Sequence, residues 1–209
     1  AMVLVNSVVL VRADLGLGES ALAWTMGVFG LGSMIAALAL PKLLERAHDR
    51  AVMLAGAATM VAALLFAAVA MGVAALSWVL LLAVWLVVGL GYSAVLTPSG
   101  RLLRRSAHAG DRPALFAAQF ALSHACWLVT YPLSGWLMTA YGGPTAFVTL
   151  AGLAVVGILL AVRLWPAEDP DVLEHTHDNL PLDHPHLRGH RTHSHDYVID
   201  DHHRHWGAP

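Results

Sequence analysis

The chain has 209 residues, of which 57% are hydrophobic and only 12% charged, and its mean hydropathy is +0.63. Soluble domains carry roughly 25% charged residues, so this composition excludes an ordinary water-soluble domain and predicts a membrane protein. The net charge of -2 hides an asymmetry: residues 1–165 hold nine Lys/Arg against five Asp/Glu, whereas 166–209 hold three against nine, with ten of the thirteen histidines.

Taken from the N-terminus, apolar runs separated by charged or Gly/Pro-rich links predict six segments. The first, 1–11, amounts to about 17 Å of helix, too short to span, and predicts a first transmembrane helix that is truncated in this chain. The second is 20–44, with Ser20 placed to cap its start. The third is 51–71, and the fourth is 76–96, ended by Thr97-Pro98-Ser99-Gly100. The fifth is 113–141. The sixth is 144–164, with Pro144 in the first turn, where its missing N–H costs nothing. Gly27, Gly30, Gly32, Gly89, Gly91, Gly152 and Gly157 predict close helix crossings. Trp24, Trp78, Trp136 and Tyr141 fall near span ends as interfacial anchors, while Trp85 and Trp127 lie deeper.

The links set the expected orientation. Lys42, Arg46 and Arg50 separate segments two and three, Arg101, Arg104, Arg105 and Arg112 separate four and five, and Arg163 closes the sixth. The remaining links contain no Lys or Arg except Arg12. The positive-inside rule then predicts a multi-pass protein of the cell (inner) membrane, with the basic links and the C-terminal tail in the cytoplasm. The arginines need no catalytic or nucleic-acid role; they orient the chain and pair with anionic headgroups of the lipid bilayer.

Six segments, two basic links and a 2/3 link carrying Pro41, Glu45, Arg46, Asp49 and Arg50 resemble the C-terminal half of a major facilitator superfamily transporter. The 2/3 link looks like a degenerate copy of the loop motif after the family's helix eight and lacks its central Gly-Arg pattern. The resemblance covers residues 1 to about 165. It implies an all-α membrane protein: a half bundle of about six transmembrane helices, the first truncated. It also implies a missing N-terminal six-helix half as partner and a substrate path near the midplane between the halves. The His-rich C-terminus is similar to that of nickel-resistance permeases within the superfamily.

The fifth span carries the candidate path. Phe120, His124, Trp127 or Leu128, Tyr131 and Ser134 or Gly135 recur at three- and four-residue steps and share a face, with Gln119, Ser123, Cys126 and Thr130 on the adjoining stripe. His124 is the only ionisable residue deep inside the five full spans, and two readings of it stand side by side. It is a proton carrier or metal ligand, or a structural histidine bonded to a neighbouring helix. The candidate substrate-path or proton-coupling residues are Gln119, Ser123, His124, Trp127, Thr130 and Tyr131. Asn6, Thr25, Ser33, Tyr92 and Thr97 are secondary candidates, each able to satisfy its own backbone instead. Pro132 predicts a bend just past the polar arc.

Residues 166–209 read as a disordered His/Asp-rich tail, with room for a short ordered piece around Tyr197, Ile199 and Trp206. His175, His177, His184, His186, His190, His193, His195, His202, His203 and His205 are candidate metal ligands, with aspartates interleaved. In an extended chain i and i+2 lie on one side, and imidazole with carboxylate suits nickel, zinc, copper or cobalt. The pattern predicts a loose multi-site buffer or sensor; a solvated tail and a pH switch are the rival readings.

The function expected is a secondary transporter, proton-coupled, exporting a small solute or a divalent metal ion without any required cofactor. The alternative is a membrane-anchored metal sensor whose tail is the working part. A membrane enzyme finds no support: there are no paired carboxylates, no His-Glu-x-x-His and no Ser/His or Ser/Lys pair at catalytic spacing.

Overall fold

The computed structural model describes residues 1–167, 172–178, 180–187 and 189–205. Trp206 lies outside the described residues. Six α-helices appear among them: α1 (Met2–Val8), α2 (Glu19–Leu44), α3 (Asp49–Gly72), α4 (Trp78–Arg105), α5 (Arg112–Tyr141) and α6 (Gly143–Leu164). Two strands follow, β1 (Val172–Thr176) and β2 (Thr192–Asp196). The five helices α2 to α6 are each long and apolar enough to cross a membrane. They present many large apolar side chains outward, among them Leu38, Phe66, Val69, Leu153, Val156 and Leu160. So much exposed apolar surface is tolerated only against lipid or another bundle. Helices suit that setting because each satisfies its own backbone polar groups without water.

The chain divides into two compact units. The first comprises Ala1–Ser99 and Phe120–Pro166. Its core is built on Trp85, Phe147, Leu10 and Leu81, all fully buried, with the Trp85 and Phe147 rings 6.0 Å apart. α3 packs along α6, and α1 lies against α2 and α6. α1 continues into a π-helical turn, Val9–Asp14, which seats Leu10 and Val11 in the core.

Small residues decide where the helices cross. A methyl group on Gly32 would strike the Leu86 carbonyl, and one on Gly89 the Phe29 carbonyl, so α2 and α4 meet backbone to backbone. Gly56 and Gly91 play the same part between α3 and α4, where a Cβ on Gly91 would lie 2.6 Å from the Gly56 carbonyl oxygen. Gly27, Gly30, Gly152 and Gly157 meet nothing within 4 Å and serve no crossing here.

Three local expectations are corrected. α2 is capped by Gly18 and not by Ser20, which is exposed; Glu19 occupies the first turn and pairs with Arg12 at 3.1 Å. An acidic side chain there also favours the helix dipole. α4 does not stop at Thr97-Pro98-Ser99-Gly100 but runs on to Arg105. Pro98 removes only the single bond to the carbonyl four residues back, and its ring is fully buried. Trp78 is not a free anchor, because its indole N–H donates to Thr25 Oγ1 at 3.0 Å. Trp24, Trp136 and Tyr141 are exposed as expected, and Pro144 does sit in the first turn of α6.

The second unit comprises Gly100–Gln119 and the described part of Ala167–Pro209. Its tail is more ordered than composition alone suggested. β1 and β2 pair antiparallel, with His175 opposite His193 and Leu173 opposite His195. The segment after β2 bonds to the link between α4 and α5: the Ile199 N–H donates to the Arg105 carbonyl at 3.0 Å, and His108 Nε2 meets Asp201 Oδ1 at 2.9 Å.

Gly89→Leu is expected to destabilise the bundle by about 1–3 kcal/mol, the usual cost of overpacking. Gly30→Leu should leave stability near that of the parent. Thermal unfolding of the two variants in detergent checks the difference.

Candidate functional site

In the first unit, α5 carries a continuous column of rings. Phe120 and His124 have centroids 3.8 Å apart, His124 and Trp127 4.5 Å, and Trp127 and Tyr131 5.7 Å with planes only 12° from parallel. The three- and four-residue steps of one helix face produce this stack. The column is not covered by the rest of the unit: Phe120 is 61% and Trp127 39% exposed, and His124 and Tyr131 are half-buried. His124 Nδ1 lies 2.8 Å from the Phe120 carbonyl oxygen, so Nδ1 carries the proton and Nε2 is the bare nitrogen of the neutral ring.

The adjoining stripe is quieter. Ser123 Oγ donates to the Phe120 carbonyl at 2.8 Å and Thr130 Oγ1 to the Cys126 carbonyl at 2.8 Å, so both hydroxyls satisfy their own helix. Cys126 is exposed, and Gln119 ends the Gly100–Gln119 segment of the second unit. α5 passes through Pro132 without a break in its helix.

What holds α5 is a buried polar bridge absent from the list of sequence candidates as a pair. Asn6 of α1, fully buried, donates through Nδ2 to Ser134 Oγ at 2.8 Å and to the Ser134 carbonyl at 3.2 Å. Its neighbour Ser7 receives the Trp85 indole N–H at 2.7 Å. Of the secondary candidates, Asn6 and Thr25 are thus interhelical ties. Trp85 packs in the core, whereas Trp127 stands in the ring column.

In the second unit the hairpin gathers histidines. His175, His193 and His195 occupy one face of the sheet, while His186 from the 3-10 turn Pro185–Leu187 folds over that face. His186 Nε2 lies 3.0 Å from Nε2 of His177, 3.3 Å from that of His193 and 3.4 Å from that of His195. His203 Nε2 lies 2.9 Å from His175 Nε2. Burial, and then the neighbouring imidazoles, push His186 down to about 4. Burial likewise lowers His177, and it lowers His175 and His203 against the hydrogen bonds those two make. Asp200 Oδ1 accepts the backbone N–H groups of His202 and His203 and the His203 ring Nδ1–H, all within 2.9 Å. Burial would raise this carboxyl, but these bonds and the nearby imidazole hold it below the usual range.

The ten tail histidines therefore separate. His175, His177, His186, His193, His195 and His203 converge. His184 and His202 meet edge to face, with ring centroids 4.9 Å apart. His190 and His205 are exposed and contribute main-chain carbonyls, to His193 Nδ1 and to the Tyr197 hydroxyl. The sequence signal for the gathering was the pair of His-x-His runs in two extended stretches; the missing step was that they pair with each other.

An apolar helix bundle with a polar and aromatic column on one span defines a multi-pass membrane protein. The chain belongs to the Major Facilitator Superfamily, whose sequence profile matches residues 1–191. The match runs past the helices into the hairpin region. Membership makes the protein a membrane transporter, with the lipid bilayer around it and a small substrate. No curated protein and no solved structure matches the chain.

Asn6→Leu should cost about 0.6–2 kcal/mol, the range of interhelical hydrogen bonds in membranes, without touching the ring column. Unfolding of the detergent-solubilised variant by denaturant measures it.

Proposed function

We propose that the chain forms part of a proton-coupled exporter of a small solute or a divalent metal ion. In this reading residues 1–165 are the transport bundle and 166–209 a cytoplasmic tail in the cell (inner) membrane. The observation that carries it is the ring column of α5, which is left uncovered on a span long and apolar enough to cross a membrane. Facing lipid, the half-buried imidazole of His124 would sit in hydrocarbon at a cost of several kcal/mol. Facing a water-filled path closed by a second six-helix half, it is solvated and able to exchange protons. His124 then carries the coupling proton, and Phe120, Trp127 and Tyr131 line the path with flat apolar faces. Gln119, Ser123 and Thr130 border it, with two of the three already bonded to, or beside, main-chain carbonyls. The cycle needs no cofactor.

His124→Ala in the full-length protein is expected to abolish proton-driven flux in membrane vesicles while expression and thermal stability stay at the parent level. Unchanged flux would return His124 to a structural role.

The histidine cluster favours a second reading, a membrane-anchored metal sensor. Removing residues 166–209 separates the two. A transporter keeps at least basal flux, whereas a sensor loses its function outright.

A further inference from the structure

Hydrogen-bond direction in the hairpin fixes what the histidine nitrogens can do. His175 Nδ1 lies 3.0 Å from the Leu173 carbonyl, His193 Nδ1 3.2 Å from that of His190, and His195 Nδ1 2.8 Å from that of Asp196. His203 Nδ1 lies 2.8 Å from the Asp200 carboxylate. Carbonyl and carboxylate oxygens only accept, so all four Nδ1 atoms carry protons, and in the neutral ring all four Nε2 atoms are bare lone pairs. Those lone pairs point at one another: His175 and His203 face at 2.9 Å, and His186 faces His193 and His195 at 3.3 and 3.4 Å. The one proton of His186 can serve one of its three neighbours. A cluster of acceptors aimed at acceptors is repulsive unless a cation sits among them.

We propose that this cluster is a built site for one divalent first-row transition-metal ion, with His175 and His186 as its shared ligands. Two quartets have nitrogens all within 4.8 Å of one another: His175, His186, His193, His195 and His175, His177, His186, His203. Both use His175 and His186, and one Nε2 lone pair cannot bind two ions, so the quartets compete for a single ion. The spacing fits. Metal–nitrogen bonds of 2.0–2.1 Å place tetrahedral neighbours about 3.3–3.4 Å apart and right-angle neighbours about 2.9 Å apart. The donor set is neutral and all nitrogen, which suits zinc, nickel, cobalt or copper(II) and not magnesium or calcium, which ask for oxygen. The Nδ1–H bonds to carbonyl and carboxylate are the outer contacts that orient metal-binding imidazoles and raise their basicity. A diffuse polyhistidine buffer, the reading composition favours, would show none of this selection among ten residues.

The site stands independently of the transport reading, and its test uses no flux measurement. The full chain, purified in detergent and stripped by a chelator, is titrated with Ni²⁺ and Zn²⁺ by calorimetry and with Co²⁺ by visible absorption. One tight ion per chain is expected, with a Co²⁺ spectrum of nitrogen coordination. His175→Ala and His186→Ala should each weaken binding roughly tenfold or more. His190→Ala and His205→Ala should leave it unchanged, since those residues act through main-chain carbonyls. Several equivalent weak ions per chain, or equal loss in His190→Ala and His186→Ala, would overturn the proposal. The stoichiometry and the cobalt spectrum are read on the parent chain, so a variant that loses the hairpin does not remove the test.

Discussion

A hydrocarbon span offers no water to a polar group, and the first unit is arranged around that fact. Asn6 answers it with Ser134, Ser7 with Trp85 and Thr25 with Trp78, each bond joining two helices. Ser123 and Thr130 answer it by turning back to their own helix. His124 turns its Nδ1–H back to the Phe120 carbonyl, while its ring stands half-buried in the uncovered column of α5. That difference, and not polarity as such, is what separates the ring column from the rest of the bundle.

The bundle was largely legible in the sequence because its signal is long-range and redundant. Twenty or so apolar residues in a row read as a span wherever they fall, and the links between them were placed within a few residues. Ends were harder, since a cap turns on one or two residues: Ser20 had the right chemistry, but the chain turns into α2 two residues earlier, at Gly18. Pro98 looked like a stop because proline costs one hydrogen bond, and a buried helix absorbs one. Ser134 could not be recognised from the sequence as the partner of Asn6. It became a partner only once α1 and α5 were brought together, 128 positions apart.

The second unit shows the reverse. Its composition advertised histidine so strongly that the ten residues read as interchangeable. The alternation that places i and i+2 on one side of a strand was visible, and its consequence was not. Pairing β1 with β2 puts His175 on the same face as His193 and His195, and so separates the histidines that converge from those that do not. Register is a property of two segments together, which is why neither segment alone disclosed it.

Between α5 and α6 stands a single residue, Gly142, with φ +81. Helices of 30 and 22 residues joined by one left-handed glycine form a bracket without slack. α5 cannot slide along its axis without pulling the start of α6, and α6 lies along α3. Any displacement of the ring column is therefore geared to the α3–α6 pair, so that the wall bearing His124 moves as a panel of three helices.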